Sequence, residues 1–211
     1  MTKAVLAFSA AAALLVVLPG PDTMVLLRSI VRDGRPRAVW TAAGGLTGLV
    51  IWVSVAALGL SAVVRASELG YLALRIAGGL YLLWLGVQSL RRRPQQASAL
   101  VVADAGAGAR LAAGRGRAYL TGLLTDVLNP KVGAFFVSFL PAFVPVGHAV
   151  GAGSAVLGGV YIAETAVYYV ALLAVSGTVV RWMGTPRVRR RLDRLMGLVF
   201  VAFGLRLMTE A

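Results

Sequence analysis

The chain has no cysteine, one histidine and only eight acidic residues in 211. Missing thiols exclude disulfides, thiolate metal sites and cysteine nucleophiles. The single histidine, His148, sits in the loop Pro145-Val-Gly-His148. Neither a histidine metal cluster nor a Ser/His/Asp set can be built around one loop histidine, so no metal site and no cofactor are expected. No Walker A sequence is present, which removes direct drive by ATP. Charge of both signs is scarce: 14% of residues are charged and 59% are apolar, with mean hydropathy +0.82. A soluble domain is about a quarter charged, and one of this length has too little interior to hide so much apolar surface. What remains is a membrane protein of 22.0 kDa with almost nothing outside the bilayer.

A helix needs about 20 apolar residues to cross about 30 Å of hydrocarbon. Six stretches meet or approach that length. They are Ala4 to about Ile30 (broken at Pro19-Gly20-Pro21-Asp22), Ala38–Val64, Leu69–Leu90, Ala118–Val144, Ala149–Val180 and Leu192–Thr209. The first resembles a signal peptide, with Lys3 ahead of Ala4–Leu18. No small-x-small cleavage site closes it, and the apolar pattern resumes at Met24, so it reads as an uncleaved span. The sixth is the weakest, free of charge only over Leu195–Leu205.

The net charge of +13 would suggest nucleic acid in a soluble protein. Its location says otherwise. Arg28, Arg32, Arg35 and Arg37 follow span 1. Arg91, Arg92, Arg93, Arg110, Arg115 and Arg117 follow span 3, and Arg181, Arg187, Arg189, Arg190, Arg191 and Arg194 follow span 5. The opposite side holds Lys3, Arg65 and Arg206, while Arg75 and Lys131 lie within spans. Excess Lys and Arg marks the cytoplasmic side. Both termini are therefore expected outside, and the arginines act as topology determinants that attract anionic lipid. No nucleic-acid partner is expected; membrane lipid is, and a homo-oligomer is left open.

The two halves repeat. Gly79-Leu-Tyr-Leu-Leu-Trp-Leu-Gly86 aligns without gaps on Gly197-Leu-Val-Phe-Val-Ala-Phe-Gly204. Gly44-Gly45 corresponds to Gly158-Gly159, and Leu18-Pro19-Gly20-Pro21 to Leu128-Asn129-Pro130-Lys131. Three spans per half is an odd number, so the second copy enters the membrane inverted. Loop charge alternates accordingly. The expected fold is all-α integral membrane, six transmembrane helices as two inverted-topology repeats of three, with helices 1 and 4 broken. One transporter domain covers 1–211: repeat one 1–90, a mobile cytoplasmic loop 91–117 rich in Ala, Gly, Arg and Gln, and repeat two 118–211. Inverted repeats of this kind belong to transporters that bind substrate near the midplane at broken helices.

Each break starts a new half-helix inside the membrane. Asn129-Pro130 is a helix start, with Asn as N-cap and Pro at the first helical position, and Pro21-Asp22-Thr23 starts one similarly. Two half-helix N-termini, with Lys131 beside them, offer N–H groups and positive charge to an anion, most simply a carboxylate. Asp22, Asp126, Lys131 and Glu164 lie at membrane depth, Glu164 about 22 Å along span 5 from its outer end. Ionised groups there are costly and are normally paired or functional. Each also has a structural reading: Asp22 as a helix cap, Asp126 as a partner of Lys131. Tyr168 and Tyr169 read as packing residues, and Gly44-x-x-x-Gly48 as a close helix contact.

These residues resemble the LysE/RhtB amino-acid exporter family of bacterial inner membranes over nearly the whole chain. The matching segments are Pro19-Gly20-Pro21-Asp22, then Gly78-Gly79-Leu-Tyr81-Leu-Leu-Trp84-Leu-Gly86, then Leu128-Asn129-Pro130-Lys131 with Phe135-Phe136 and Leu140-Pro141-x-Phe143. The resemblance implies a secondary exporter of amino acids or close derivatives, driven by the proton gradient through alternating access. It is not expected to be an enzyme. Where relatives carry a polar residue or histidine in span 2, this chain has Gly48-Leu-Val-Ile-Trp52, which argues against lysine specificity. Pro19, Gly20, Pro21, Asp22, Asn129, Pro130, Lys131 and Glu164 are the expected substrate-binding residues, and Asp22, Asp126 and Glu164 the proton-coupling candidates. Export of inorganic cations or other small metabolites is the alternative, disfavoured by the absent Cys and intramembrane His. A lipid-modifying enzyme lacks its nucleophile.

Overall fold

In hydrocarbon every backbone N–H and C=O has to be bonded within the protein, which drives apolar segments into helix. The structure, a computed structural model, describes residues 1–18, 20–66, 68–91, 114–145, 149–174 and 185–209. Among these it forms eight α-helices and no strand: α1 (Thr2–Val17), α2 (Pro21–Arg32), α3 (Arg35–Ala66), α4 (Glu68–Arg91), α5 (Arg115–Val127), α6 (Pro130–Ala134), α7 (Val150–Ala174) and α8 (Pro186–Thr209). Two stretches, Arg35–Gly59 and Val150–Ala174, are single helices long and apolar enough to cross a membrane. Two further such stretches are bent pairs, α1 with α2 at 50° and α5 with α6 and its continuation at 47°.

Both bends fall where proline denies the helix a donor. α1 stops at Leu18, whose backbone is extended, and Pro21 opens α2. α5 stops at Leu128; Asn129 is extended and Pro130 opens α6. After Ala134 the chain passes through a π turn over Phe135–Phe139 and a 3-10 turn over Leu140–Phe143. Pro141 cannot donate to the carbonyl of Val137, so the α pattern is already lost there. The N–H of Leu140 bonds the carbonyl of Phe135 instead. Widening this turn stacks Phe135, Phe136 and Phe139 against Phe8, Phe143, Tyr161 and Phe203, with ring centroids 4.2 to 5.8 Å apart. Contacts of that kind are worth about 0.5–1.5 kcal/mol each beyond their buried area. Gly34, at φ 79°, makes the turn from α2 into α3 that side chains disfavour.

Small residues set the helix packing, as expected where lipid tails compete equally for apolar side chains. α3 and α5 touch backbone to backbone: a Cβ at Gly44 would overlap the carbonyl oxygen of Tyr119, and one at Gly122 that of Thr41. α4 and α8 cross through glycines at two levels. A Cβ on Gly86 or on Gly197 would each lie 2.8 Å from the other's carbonyl oxygen, and one on Gly204 would lie 2.8 Å from that of Gly79. α7 fills the space between α3 and α1.

The helices follow the apolar stretches with shifted ends. α8 begins at Pro186, six residues before the apolar run, which turns the weakest candidate into a 24-residue helix. α5 begins at Arg115, inside the expected 91–117 loop. α4 runs on to Arg91, the first residue of that loop; residues 92–113 and His148 lie outside the described residues.

Candidate functional site

The two breaks meet, and the chemistry is concentrated there. Asn129 accepts the backbone N–H of Lys131 on its Oδ1 at 3.1 Å, the capping bond its sequence position implies. Its free amide donates to Asp22 Oδ1 at 3.3 Å, and the Tyr169 hydroxyl donates to Asp22 Oδ2 at 3.2 Å. Asp22 is therefore more than a cap on its own helix. Gly20 takes the cap position of α2 with no side-chain bond, while Asp22 ties the first break to the second and to α7.

Lys131 reaches from the second break to the first. Its ammonium donates to the carbonyls of Leu15 and Leu18, both at 3.0 Å. The last carbonyls of a helix have no intrahelical donor and carry the negative end of the dipole. Lys131 of the second break thus caps the severed end of α1 in the first. Gly20 leaves room for this: a Cβ there would lie 2.6 Å from Asp22 Oδ1 and 3.7 Å from Lys131 Nζ.

Asp126 is the least satisfied group. The residue is 1% exposed, and neither carboxylate oxygen has a hydrogen-bond partner. Pairing with Lys131, its structural reading, is not the arrangement formed. Gly48 on α3 makes room for it; a Cβ there would lie 2.6 Å from Asp126 Oδ2 and 2.8 Å from Asp126 Cβ.

A cavity joins these groups, lined by Leu15, Val16, Asp22, Leu49, Asp126, Lys131, Val132, Tyr161, Thr165, Tyr168 and Tyr169. Its free volume is about 10 Å³, room for about one water. An amino acid does not fit without an opening of the bundle. Of the residues expected from sequence, Gly20, Pro21, Asp22, Asn129, Pro130 and Lys131 stand together at the breaks, and Asp126 faces the same cavity. Glu164 stands apart on the α1 side of α7, within hydrogen-bonding reach of Ser9 and with Oε2 buried without a partner. Pro19 lies outside the described residues.

From α7 sequence reasoning took Glu164 and missed the Tyr/Thr face that lines the cavity. Tyr161, Thr165, Tyr168 and Tyr169 follow helical spacing along one face. Tyr169, read as packing, instead holds Asp22. An apolar helix whose one polar stripe is Tyr/Thr was the available sign.

Comparison with known proteins gives the family. The model of the LysE type translocator family matches residues 13–211. The threonine efflux protein of Salmonella typhi is 31% identical over 194 residues, covering 90% of this chain and 89% of its own. The leucine efflux protein of Klebsiella pneumoniae is 28% identical over 206 residues, covering 97% and 94%. An uncharacterized membrane protein of Bacillus subtilis, YrhP, is 26% identical over 206 residues, covering 95% and 96%. No solved structure matches. With a family model spanning nearly all of it, this chain belongs to the LysE type translocator family.

Proposed function

We propose that the protein is a secondary exporter of amino acids or close derivatives in the bacterial inner membrane, working by alternating access and coupled to protons. The observation that carries this is the cavity at two helix breaks, lined by two carboxylates and a lysine. A zwitterion needs both signs of charge at one place, and bilayer-depth charges are too costly to keep without use. The relatives named for threonine and leucine efflux support small neutral substrates. The substrate carboxylate is received by Lys131 and the N–H groups at the start of α2, and its ammonium by the acidic groups opposite; at the start of α6 the N–H of Lys131 is already held by Asn129. The apolar lining of Leu15, Val16, Leu49 and Val132 suits an aliphatic side chain.

In this reading six spans form two inverted repeats, 1–90 and 118–211, with both termini outside. The glycine contacts support it. In the repeat alignment Gly79 matches Gly197 and Gly86 matches Gly204. The contacts Gly86–Gly197 and Gly79–Gly204 are then exchanged by one two-fold axis, the self-complementary pattern such an axis demands. α1 against α7 and α5 against α3 form a second exchanged pair. One half rocking on the other about that axis would open the cavity to either side. Asp22, Asp126 and Glu164 are the acids at depth from which the proton-coupling group is drawn.

The test is a panel of amino acids and dipeptides supplied to cells with and without the protein, measuring what appears outside. Faster efflux of one or more small neutral amino acids is expected. Efflux unchanged across the panel, with raised metal tolerance instead, would transfer the assignment to cation export.

A further inference from the structure

The two breaks treat their severed helix ends unequally. At the first, the end of α1 is capped by an ammonium, that of Lys131, reaching across from the second break to the carbonyls of Leu15 and Leu18. At the second, the end of α5 carries a carboxylate, Asp126, in the last turn. A carboxylate there adds to the negative end of the helix dipole instead of offsetting it. The repeat gives that end no lysine of its own, because the residue matching Lys131 in the first break is Pro21. Both oxygens of Asp126 are buried and without a partner, in a side chain 1% exposed. They face a cavity that Asp22 also lines. Buried polar groups are nearly always satisfied, and an orphan one asks what completes it. A cation the size of an ammonium would complete both oxygens and offset the negative end of α5.

We infer that Asp126 binds the α-ammonium of the transported amino acid, so that the substrate supplies at the end of α5 the positive charge that Lys131 supplies at the end of α1. This deepens the exporter reading and rests on it. Asp22 stands on the other side of the ammonium, its own orientation fixed by Asn129 and Tyr169. Gly48 belongs to the same subsite, since any larger residue would push Asp126 out of the cavity. Glu164, next to Ser9 of α1, is not among the residues that line the cavity. Among the described residues the lining adds no third carboxylate to receive a second ammonium, so a dibasic side chain has no partner there. The subsite selects zwitterions with neutral side chains over amines, hydroxy acids and diamino acids.

The experiment is tracer exchange in liposomes holding the full-length protein, with no ion gradient, so that binding and translocation are read without coupling. The probes are L-threonine, L-leucine and the hydroxy acid of leucine, which carries hydroxyl in place of ammonium. Wild-type protein is expected to exchange at least one of the two amino acids. The hydroxy acid should compete roughly 10–100-fold more weakly, the factor that a hydrogen bond to a charged group commands. In Asp126→Asn the half-saturation for the amino acid rises by a similar roughly 10–100-fold, while competition by the hydroxy acid stays within about threefold of the wild type. Gly48→Ala, which displaces Asp126 without changing its charge, should show the same selective loss and stands in if the asparagine variant is not recovered folded. Amino-acid exchange unchanged in Asp126→Asn overturns the inference. So does exchange that survives while only gradient-driven accumulation is lost, because that pattern makes Asp126 a proton carrier. Wild-type protein that exchanges neither these probes nor any amino acid of the wider panel refutes the exporter reading itself, and the subsite falls with it.

Discussion

Replacing Lys131 with methionine keeps an unbranched side chain one atom shorter and removes one charge and two hydrogen bonds. In the wild type the ammonium holds the carbonyls of Leu15 and Leu18, both at 3.0 Å, where α1 has ended and no backbone donor follows. A hydrogen bond to a charged group contributes about 1.5–3 kcal/mol, which sets an upper bound near 6 kcal/mol for the two. Breaking a buried charged contact from one side costs about 3–5 kcal/mol, and that lower range is the better estimate because the two bonds share one nitrogen. The methionine variant also leaves Asp22 and Asp126 without a cation in the cavity they share with Lys131. Unfolding of purified protein in mild detergent, followed by helical circular dichroism against added denaturing detergent, should show a loss of about 3–5 kcal/mol. Lys131→Arg should recover part of it, since a planar guanidinium spreads its donors too widely to reach both carbonyls from one point. A methionine variant within about 0.5 kcal/mol of the wild type would refute the capping role, and with it the claim that the two breaks are locked together through this residue.

Three other outcomes follow from the same geometry. Asn129→Ala removes the cap of α6 and one tether of Asp22 together, so the same unfolding assay should register about 0.5–2 kcal/mol and export should fall. Tyr169→Phe keeps the buried ring and deletes only the bond to Asp22; a loss of about 0.5–1.5 kcal/mol and several-fold slower export at equal membrane levels are expected. Gly122→Val places a side chain on the carbonyl of Thr41, whereas a Cβ at Gly59 meets nothing within 4 Å. The first should cost at least about 1–3 kcal/mol and reduce the yield of monodisperse protein, while Gly59→Ala should be neutral or stabilising by up to about 1 kcal/mol.

Much of the fold was legible because its causes are local. Apolar length, proline at the breaks and Asn-Pro at a helix start each act within a few residues, and α2, α3, α4, α6 and α7 appear close to where those features put them. The ends that moved, Pro186 for α8 and Arg115 for α5, lie in arginine-rich stretches. Arginine is a good helix former, so charge marked where the apolar run stopped without marking where the helix did. The site was legible as a list of residues at one depth and illegible as a set of partners. Nothing near Lys131 in sequence announces Leu15 and Leu18, because that contact spans the two breaks. Nor does the α7 sequence around Glu164 show that its neighbours Thr165 and Tyr169 face the cavity and Glu164 does not. That division is set by how α7 is rotated between α1 and α3. Hydropathy cannot read a rotation in a helix with so little amphipathic contrast.

Symmetry and its violation carry different parts of the proposed function. A perfect inverted repeat would place the same group at both breaks, and two like charges facing each other bind neither end of a zwitterion well. In the proposed reading the chain keeps the repeat where rocking would need it, in the glycine crossings of α4 and α8, and departs from it where binding would need opposite signs. At the first break Pro21 stands where the second has Lys131. The last turn of α5 carries Asp126, where the corresponding turn of α1 is apolar, ending in Val16 and Val17. Placing the lysine on one repeat so that it caps the other also joins the halves through a bond that movement must break or carry along. A substrate carboxylate that draws Lys131 away from Leu15 and Leu18 would release the end of α1, and binding would then itself loosen the contact that holds the breaks together. On this account an amino acid lacking its carboxylate should occupy the cavity without being moved. Exchange assays with leucine methyl ester or isoamylamine can look for that separation of binding from transport. Efficient transport of either amine would show that Lys131 is not the release point.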